Sequence, residues 1–426
     1  MNDITRLDHS TLLARKNTLL ERYLHFKARN LSLDMTRGKP SPEQLDLAMP
    51  MLDPQICRQY TTAGGADCRN YGGLEGIGEA RSLFAAYLEV AADEIIIGNN
   101  ASLKMMHDTV MGGLVYGMVD SEVPWGRMAG IKFLCPSPGY DRHFSVCEYL
   151  NIEMIPIAMD ENGPDMDTVE ELVSQDASIK GMWCVPRYSN PTGITYSDAV
   201  VGRLASMETK ANDFRIFCDN AYAAHHLTDS PTPLKNILTA CKEAGNPERV
   251  ILFGSTSKIS FAGAGVALLA ASRKNIDFLL GKLKFQTIGP NKLNQLRHVL
   301  FFKDLAGLKG HMKKHAAILK PKFTAVLDVL DAELADKNIV SWSRPQGGYF
   351  VSIDTMDHCA GAVVDMAAAA GVKLTPAGAT FPYGKDPRDR NIRIAPSFPS
   401  ADDVRTAMEL VCICIQSVSI EKLLNS

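Results

Sequence analysis

Seven short apolar runs fall at residues 94–98, 132–136, 152–157, 179–186, 215–219, 249–254 and 265–272. Most are separated by longer stretches of helical periodicity, such as 165–175 and 198–210. This alternation constrains the fold more than any other feature of the chain. Strands that return through helices pair in parallel, and the helices cover both faces of the sheet. The runs also lack the polar alternation of a half-exposed sheet, as burial on both faces requires. The sequence therefore predicts an α/β fold, a mostly parallel sheet sandwiched by helices.

Both ends of the chain depart from that pattern. A helix is predicted over 10–29, followed by the turn-rich Thr36-Arg37-Gly38-Lys39-Pro40-Ser41-Pro42. After residue 289 comes one long charged helical stretch, 291–335, then a hairpin or edge strand over 341–354. A helix at 361–370, short strands at 372–376 and 391–395, and a final helix at 401–424 complete the chain. A length of 426 residues exceeds what one core usually serves. The expected division is a large α/β domain over 55–305 and a smaller α+β domain built from 1–54 and 306–426. No Pro- or Ser-rich linker separates them, so they should pack together.

The 45 Lys and Arg are balanced by 48 Asp and Glu, a net charge of -3. That balance gives no support to a nucleic-acid or anionic-membrane partner, although a local basic pocket for a small anion stays compatible with it. The longest uncharged apolar run, 109–119, is too short to span a bilayer and reads as a buried helix. The 10 cysteines are scattered and form no CxxC pair, which argues for reduced, mostly buried thiols. With no apolar leader in the first residues, a cytoplasmic protein is expected.

Four places along the apolar runs carry polar chemistry. The run at 215–219 ends in Asp219 and continues Asn220-Ala221-Tyr222. A carboxylate just past a buried strand sits at the carboxyl edge of a parallel sheet, where such folds bind ligands, and it needs a cationic partner there. Taken alone it is better read as an ordinary helix cap. The run at 249–254 leads into Ser255-Thr256-Ser257-Lys258. Small hydroxyls and free amides suit a phosphate, and a lysine in apolar surroundings can lose its proton and attack a carbonyl. Ser189-Asn190-Pro191-Thr192-Gly193 follows the run at 179–186 and is turn chemistry by default. Gly98-Asn99-Asn100-Ala101-Ser102-Leu103 opens a helix after a strand, offering unpaired amides and a dipole to an anion.

In this order, and together with Pro138-Gly139-Tyr140-Asp141-Arg142-His143, the motifs resemble the pyridoxal-phosphate (PLP) enzymes of fold type I, class I aminotransferase family. The likeness is greatest to the bacterial aspartate aminotransferase-like branch and runs from Arg37-Gly38-Lys39-Pro40 to Arg393. The resemblance implies that Lys258 holds the cofactor through a Schiff base and later carries a proton from the substrate. Asp219 would pair with the pyridinium nitrogen, keeping the ring an electron sink. Tyr222 and Asn190 would reach the phenolic oxygen, and Tyr140 would stack on the ring. Ala101, Ser102, Ser255 and Ser257 would bind the phosphate, and Tyr71 would reach the phosphate of a partner subunit. Arg393 would clamp the substrate α-carboxylate, a job suited to a bidentate guanidinium, with Asn190 beside it and Gly38 leaving room. The implied protein is a cytoplasmic homodimer with composite sites. It would move the amino group of an amino acid, L-aspartate first, to a 2-oxo acid such as 2-oxoglutarate by a ping-pong cycle.

The chain departs from this pattern in two ways. Many relatives carry a phosphate-binding arginine about eight residues past the lysine; here Val266 stands there. The arginine that reads a second carboxylate has no aligned counterpart either, leaving Arg37, Lys39, Lys292 and Arg297 as possibilities. Other readings fare worse. Ser255-x-x-Lys258 also fits a serine acyl-enzyme motif, but Ser-Asp-Asn and Lys-Thr-Gly partners are missing. Gly263-Ala264-Gly265 lacks the third glycine of a dinucleotide site. His225-His226 has no zinc-binding spacing around it, and His143 is at most a pocket residue next to Tyr140. A non-enzymatic PLP-binding regulator would need a DNA-binding module that is not evident. Aminotransferases for aromatic amino acids, alanine or kynurenine, and PLP lyases on the same fold, remain open alternatives.

Overall fold

The computed structural model describes residues 3–425. Its strands are, in chain order, β1 (Leu33–Asp34), β2 (Ile95–Ile97), β3 (Lys132–Ser137), β4 (Glu153–Asp160), β5 (Gly163–Pro164), β6 (Ile179–Cys184), β7 (Arg215–Asp219), β8 (Val250–Ser255), β9 (Ala267–Ala271), β10 (Val340–Trp342), β11 (Val351–Thr355), β12 (Val372–Lys373) and β13 (Asn391–Ile394).

All seven apolar runs became strands of one eight-stranded sheet, in the order β2-β9-β8-β7-β6-β3-β4-β5. The pairings β4–β3, β3–β6, β6–β7 and β7–β8 are parallel. β9 runs antiparallel to both β8 and β2, so β2 points the same way as β8. Every residue of β6, β7 and β9 is buried, which is why these runs are continuously apolar. One consequence organises the molecule. The loops that leave β2, β3, β6, β7 and β8 all start at the same edge of the sheet, with β7 between β6 and β8.

Helices cover both faces. One core holds Leu134, Met182, Ile216 and Leu252 with the helices Gly78–Leu88 and Asp198–Ser206. On the other face Phe133, Trp183, Phe217 and Phe253 pack together under Trp125 and Met106. A separate core joins the two ends of the chain. It packs the helix His9–Ala28 on the helix Ala401–Leu424, with the antiparallel β10-β11-β13 sheet and the β1–β12 pair beside them. The helix Leu305–Leu334 serves two of these three cores, giving Leu308 and Met312 to the first and Phe323 to Leu334 to the last.

Two sequence expectations need correction. The stretch 291–335 is two helices, Lys292–Phe302 and Leu305–Leu334. Lys303 takes a positive φ of 66°, and the Asp304 carboxylate accepts the Gly307 N–H at 2.8 Å, capping the second helix. A Cβ on Gly307 would overlap the Phe302 carbonyl oxygen, so the break needs glycine there. The strand expected over 372–376 is only Val372–Lys373, because its partner β1 is itself two residues long.

Gly307→Ala should therefore destabilise the protein by about 2 kcal/mol or more. Gly310, in the same helix, has nothing within 4 Å of a built Cβ. Gly310→Ala should stabilise by about 0.5–1 kcal/mol, read in parallel urea unfolding curves.

Candidate active site

The shared sheet edge gathers the chemistry. Asp219 is the last residue of β7, only 4% exposed, on the central one of the loop-bearing strands. Its Oδ2 lies 3.3 Å from His143 Nε2. Its Oδ1 is buried with no hydrogen-bond partner. His143 sits in the helix Asp141–Tyr149, which starts just after β3. Its ring stacks flat on Trp183, with centroids 4.4 Å apart and planes at 9°, and meets the Tyr140 ring edge-on at 4.9 Å. The imidazole is thus aimed at the carboxylate by aromatic packing on two sides.

Lys258 follows β8 and is partly buried. Its Nζ lies 4.9 Å from the centre of the Tyr222 ring and 5.9 Å from that of Tyr349. Burial pushes the Lys258 ammonium below its ordinary value, and the Asp219 charge opposes that push. Burial likewise drives the Tyr222 hydroxyl well above the usual phenol range, so it remains a proton donor at neutral pH.

The backbone that presents Lys258 is pinned from several sides. His225 Nε2 donates to the Lys258 carbonyl at 3.2 Å, and His311 Nε2 to the Ile259 carbonyl at 2.7 Å. Burial lowers the His225 pKa to about 3, with the Lys258 charge adding to the effect, so this donor is a neutral imidazole. Below the loop, His298 Nδ1 donates to the Asn294 carbonyl at 2.7 Å. That leaves Nε2 to accept from the Ser260 hydroxyl at 2.8 Å, beside Thr256 at 3.1 Å. Burial lowers the His298 pKa to about 4.

The expected phosphate residues lie on neighbouring loops. Gly265 N–H donates to Asn100 Oδ1 at 2.8 Å, and Ala267 N–H to the Asn99 carbonyl at 2.6 Å. These bonds tie the Lys258 loop to the segment just before the helix Ser102–Tyr116, and Ala267 is in turn the β-ladder partner of Ser255. Val266, where relatives carry arginine, is buried in the core.

Arg393 comes from β13, in the core that joins the chain ends, yet it enters the same site. It is 6% exposed. Nη1 donates to Asp141 Oδ1 at 2.9 Å and to Asn190 Oδ1 at 3.3 Å. Nε donates to Thr375 Oγ1 at 3.3 Å, and the guanidinium lies 5.0 Å over the Phe350 ring. Gly38 passes beside this ring. A Cβ there would come within 2.5 Å of Phe350 Cζ and 3.2 Å of Tyr349 Cβ. Tyr349 is tied to the N-terminal segment by Gln44, whose Nε2 donates to its hydroxyl at 2.8 Å.

The remaining residues fall elsewhere. Tyr71 is 79% exposed on the outside of the chain. Of the second-carboxylate possibilities, Arg37 and Lys39 are exposed on either side of Gly38, and Lys292 is buried with its Nζ donating to the Tyr71 carbonyl at 3.0 Å. Arg297 lies on the helix Lys292–Phe302, whose Asn294 donates through Nδ2 to the Ala264 and Gly265 carbonyls. Sequence reasoning gave no role to Tyr349 or His298, read Asp141 only as part of a helix start, and gave the pair His225-His226 a supporting place near the ring. His143 had one legible signal, its place three residues after Tyr140 at helical spacing. His298 had none, since 40 residues separate it from Lys258.

Comparison with known proteins agrees with this geometry. The model of the aspartate amino-transferase family matches residues 7–426. The chain belongs to the aspartate aminotransferase family. An aspartate aminotransferase of Corynebacterium glutamicum is 45% identical over 399 residues, 94% of this chain and 92% of that protein. The crystal structure of an aspartate transaminase from the same species superposes with a TM-score of 0.96 at 42% identity, covering 99% of both chains. More remotely, an alpha-aminoadipate aminotransferase of Thermus thermophilus, solved with N-(5'-phosphopyridoxyl)-L-leucine, shares the fold at a TM-score of 0.75 and 21% identity over 92% of this chain and 95% of that one. The chain is an aminotransferase of fold type I, and this family works with PLP.

The lowered Lys258 pKa has a stability consequence. The folded, cofactor-free protein sheds this proton before the unfolded chain does, at about pH 10.4. Stability contributed at this site therefore rises with pH between the folded value and that of the unfolded chain. In chemical unfolding from pH 7 to 10, the parent should gain stability relative to Lys258→Met; a constant difference would contradict the assignment.

Proposed function

We propose that this chain is a PLP-dependent aspartate aminotransferase, passing the amino group of L-aspartate to 2-oxoglutarate. The observation that carries the cofactor reading is the unpaired buried Oδ1 of Asp219. A buried carboxylate oxygen without a donor is costly, and a protonated ring nitrogen is the kind of group that would relieve it. When bound, the cofactor supplies the carbonyl that takes up the amino group and the ring that accepts the electrons left at the substrate Cα.

The residues supply the rest. Lys258 Nζ, whose charged form burial disfavours, would form the cofactor attachment. Once released, it is the base that takes the proton from the substrate Cα. Asp219, oriented by His143, holds the ring proton. Tyr222 donates from its hydroxyl to the phenolic oxygen. Asn190 can join it through Nδ2, since its Oδ1 is already engaged by Arg393. Tyr140 packs against the ring plane, and Ala101, Ser102, Ser255 and Ser257 bind the phosphate through amides and hydroxyls. Arg393, flanked by Gly38 and Asn190, grips the α-carboxylate. The two half-reactions use the same residues in opposite directions, and the first oxo acid leaves before the second enters, which makes the cycle ping-pong.

We also propose a cytoplasmic homodimer. Tyr71 and Ile288 are exposed apolar side chains, and a Cβ at Gly289 would come within 2.6 Å of the Gly72 carbonyl. Together with the bond from Lys292 to Tyr71, this makes the two loops one continuous surface. A second copy covering it would put Tyr71 within reach of the partner site. None of the ten cysteines is bonded to another, and no helix among the described residues is long and apolar enough to cross a membrane.

Absorbance spectroscopy tests the reaction directly. The purified protein with PLP should show a visible band that L-aspartate converts to a near-ultraviolet one and 2-oxoglutarate restores. Lys258→Ala should show no such cycle. A band that responds only to another amino acid would change the donor. Arg393→Lys should lose about 100-fold in kcat/KM, because an ammonium cannot make the bidentate grip. Sedimentation should give a dimer at assay concentration; an active monomer would contradict the role of Tyr71.

A further inference from the structure

We propose that Asp141 is a built-in stand-in for the substrate α-carboxylate, placed to compete with substrates for Arg393. The inference rests on the reading of Arg393 as the carboxylate clamp, and it concerns what occupies that clamp between turnovers.

The geometry is that of an occupied carboxylate site. Asp141 Oδ1 receives Nη1 of Arg393 at 2.9 Å. The same Nη1 reaches Asn190 Oδ1 at 3.3 Å, so Asp141 sits on the Asn190 side of the fork, where the substrate is expected. The other edges are weakly used: Nε meets Thr375 Oγ1 at 3.3 Å, and Nη2 meets the Thr36 carbonyl only at 3.5 Å. The strongest partner of a nearly buried guanidinium is therefore a side chain of the protein itself. Without an anion there, the charge would be buried and unpaired.

Asp141 is also placed to let go. It is the first residue of the helix Asp141–Tyr149, where the helix dipole favours a negative charge even when Arg393 is withdrawn. Its side chain is 32% exposed, so water can take over as it turns away. His143, two residues on, keeps its contacts with Trp183 and Asp219 through the ring alone. A rotamer change at Asp141 can thus release Arg393 without moving the helix that orients Asp219.

The exchange has a defined kinetic signature. An incoming carboxylate replaces another carboxylate, so part of its binding energy goes into displacing Asp141. The loss is equal in the ground and transition states, and it falls on KM rather than kcat. An amine without a carboxylate has nothing to offer Arg393 and leaves the pair closed. Asp141 would act as a positioning residue that favours α-carboxylate substrates and keeps the empty clamp neutralised.

The test uses the PLP-loaded enzyme and Asp141→Asn. Calorimetric titration with maleate, a dicarboxylate that cannot transaminate, should show binding about tenfold tighter than in the parent. KM for both L-aspartate and 2-oxoglutarate should fall by a similar factor, with kcat changed less than about twofold. Asp141→Glu, which keeps a competing charge, should stay near the parent. If Asp141→Asn proves less stable, maleate should raise its melting temperature by more than it raises the parent's. Unchanged or weaker maleate binding in Asp141→Asn would overturn the proposal and make Asp141 a plain support for Arg393. Arg393→Ala separates the two readings. It should abolish maleate binding, and intact binding there would instead refute the clamp itself.

Discussion

The buried carboxylate of Asp219 is the constraint around which the rest is arranged. Burying a charge costs several kcal/mol unless it is paired, on the order seen for ionised groups moved out of water. Here one oxygen faces His143 at 3.3 Å and the other faces no donor. The protein keeps this cost because β7 lies inside a parallel sheet whose neighbours bring their loops to the same edge. Trp183 at the end of β6 stacks on His143, Lys258 leaves β8 on the other side, and the Asp219 charge is felt at that lysine. Burial disfavours the charged form of that lysine, and the Asp219 charge works against the burial.

A sheet edge alone cannot hold an amino acid. The proposed clamp, Arg393, comes from the far end of the chain, on a small antiparallel sheet that packs with the N-terminal helix in its own core. This explains why both chain ends belong to one unit while the middle forms the large sheet. Arg393, Phe350, Tyr349 and Gly38 approach from that unit, and Gln44 ties Tyr349 to the N-terminal segment. The site is closed by contact between two cores joined through the helix Leu305–Leu334.

The large sheet was legible because burial on both faces leaves an apolar run that few other elements produce. Motifs at strand ends were legible for the same reason: the run shows where the edge is. Asp219 and Lys258 were singled out that way, and the role of Tyr222 came from the family resemblance. What escaped was long-range. His298 braces the Lys258 loop from a different helix, and nothing local marks it. Asp141 looks like an ordinary helix start until Arg393, 252 residues away, is seen against it. The helix break at Lys303 was missed because its signal is a single glycine, Gly307, whose role depends on the Phe302 carbonyl. Patterns report burial well, and pairings between distant segments poorly.

The central claim is that Asp219 keeps a proton on the ring nitrogen of the cofactor. Nitrogen NMR of the enzyme reconstituted with ring-labelled pyridoxal phosphate measures that proton directly. The account predicts a protonated ring nitrogen in the parent across neutral pH and an unprotonated one in Asp219→Asn, with the cofactor still attached in both. An unprotonated nitrogen in the parent would contradict it.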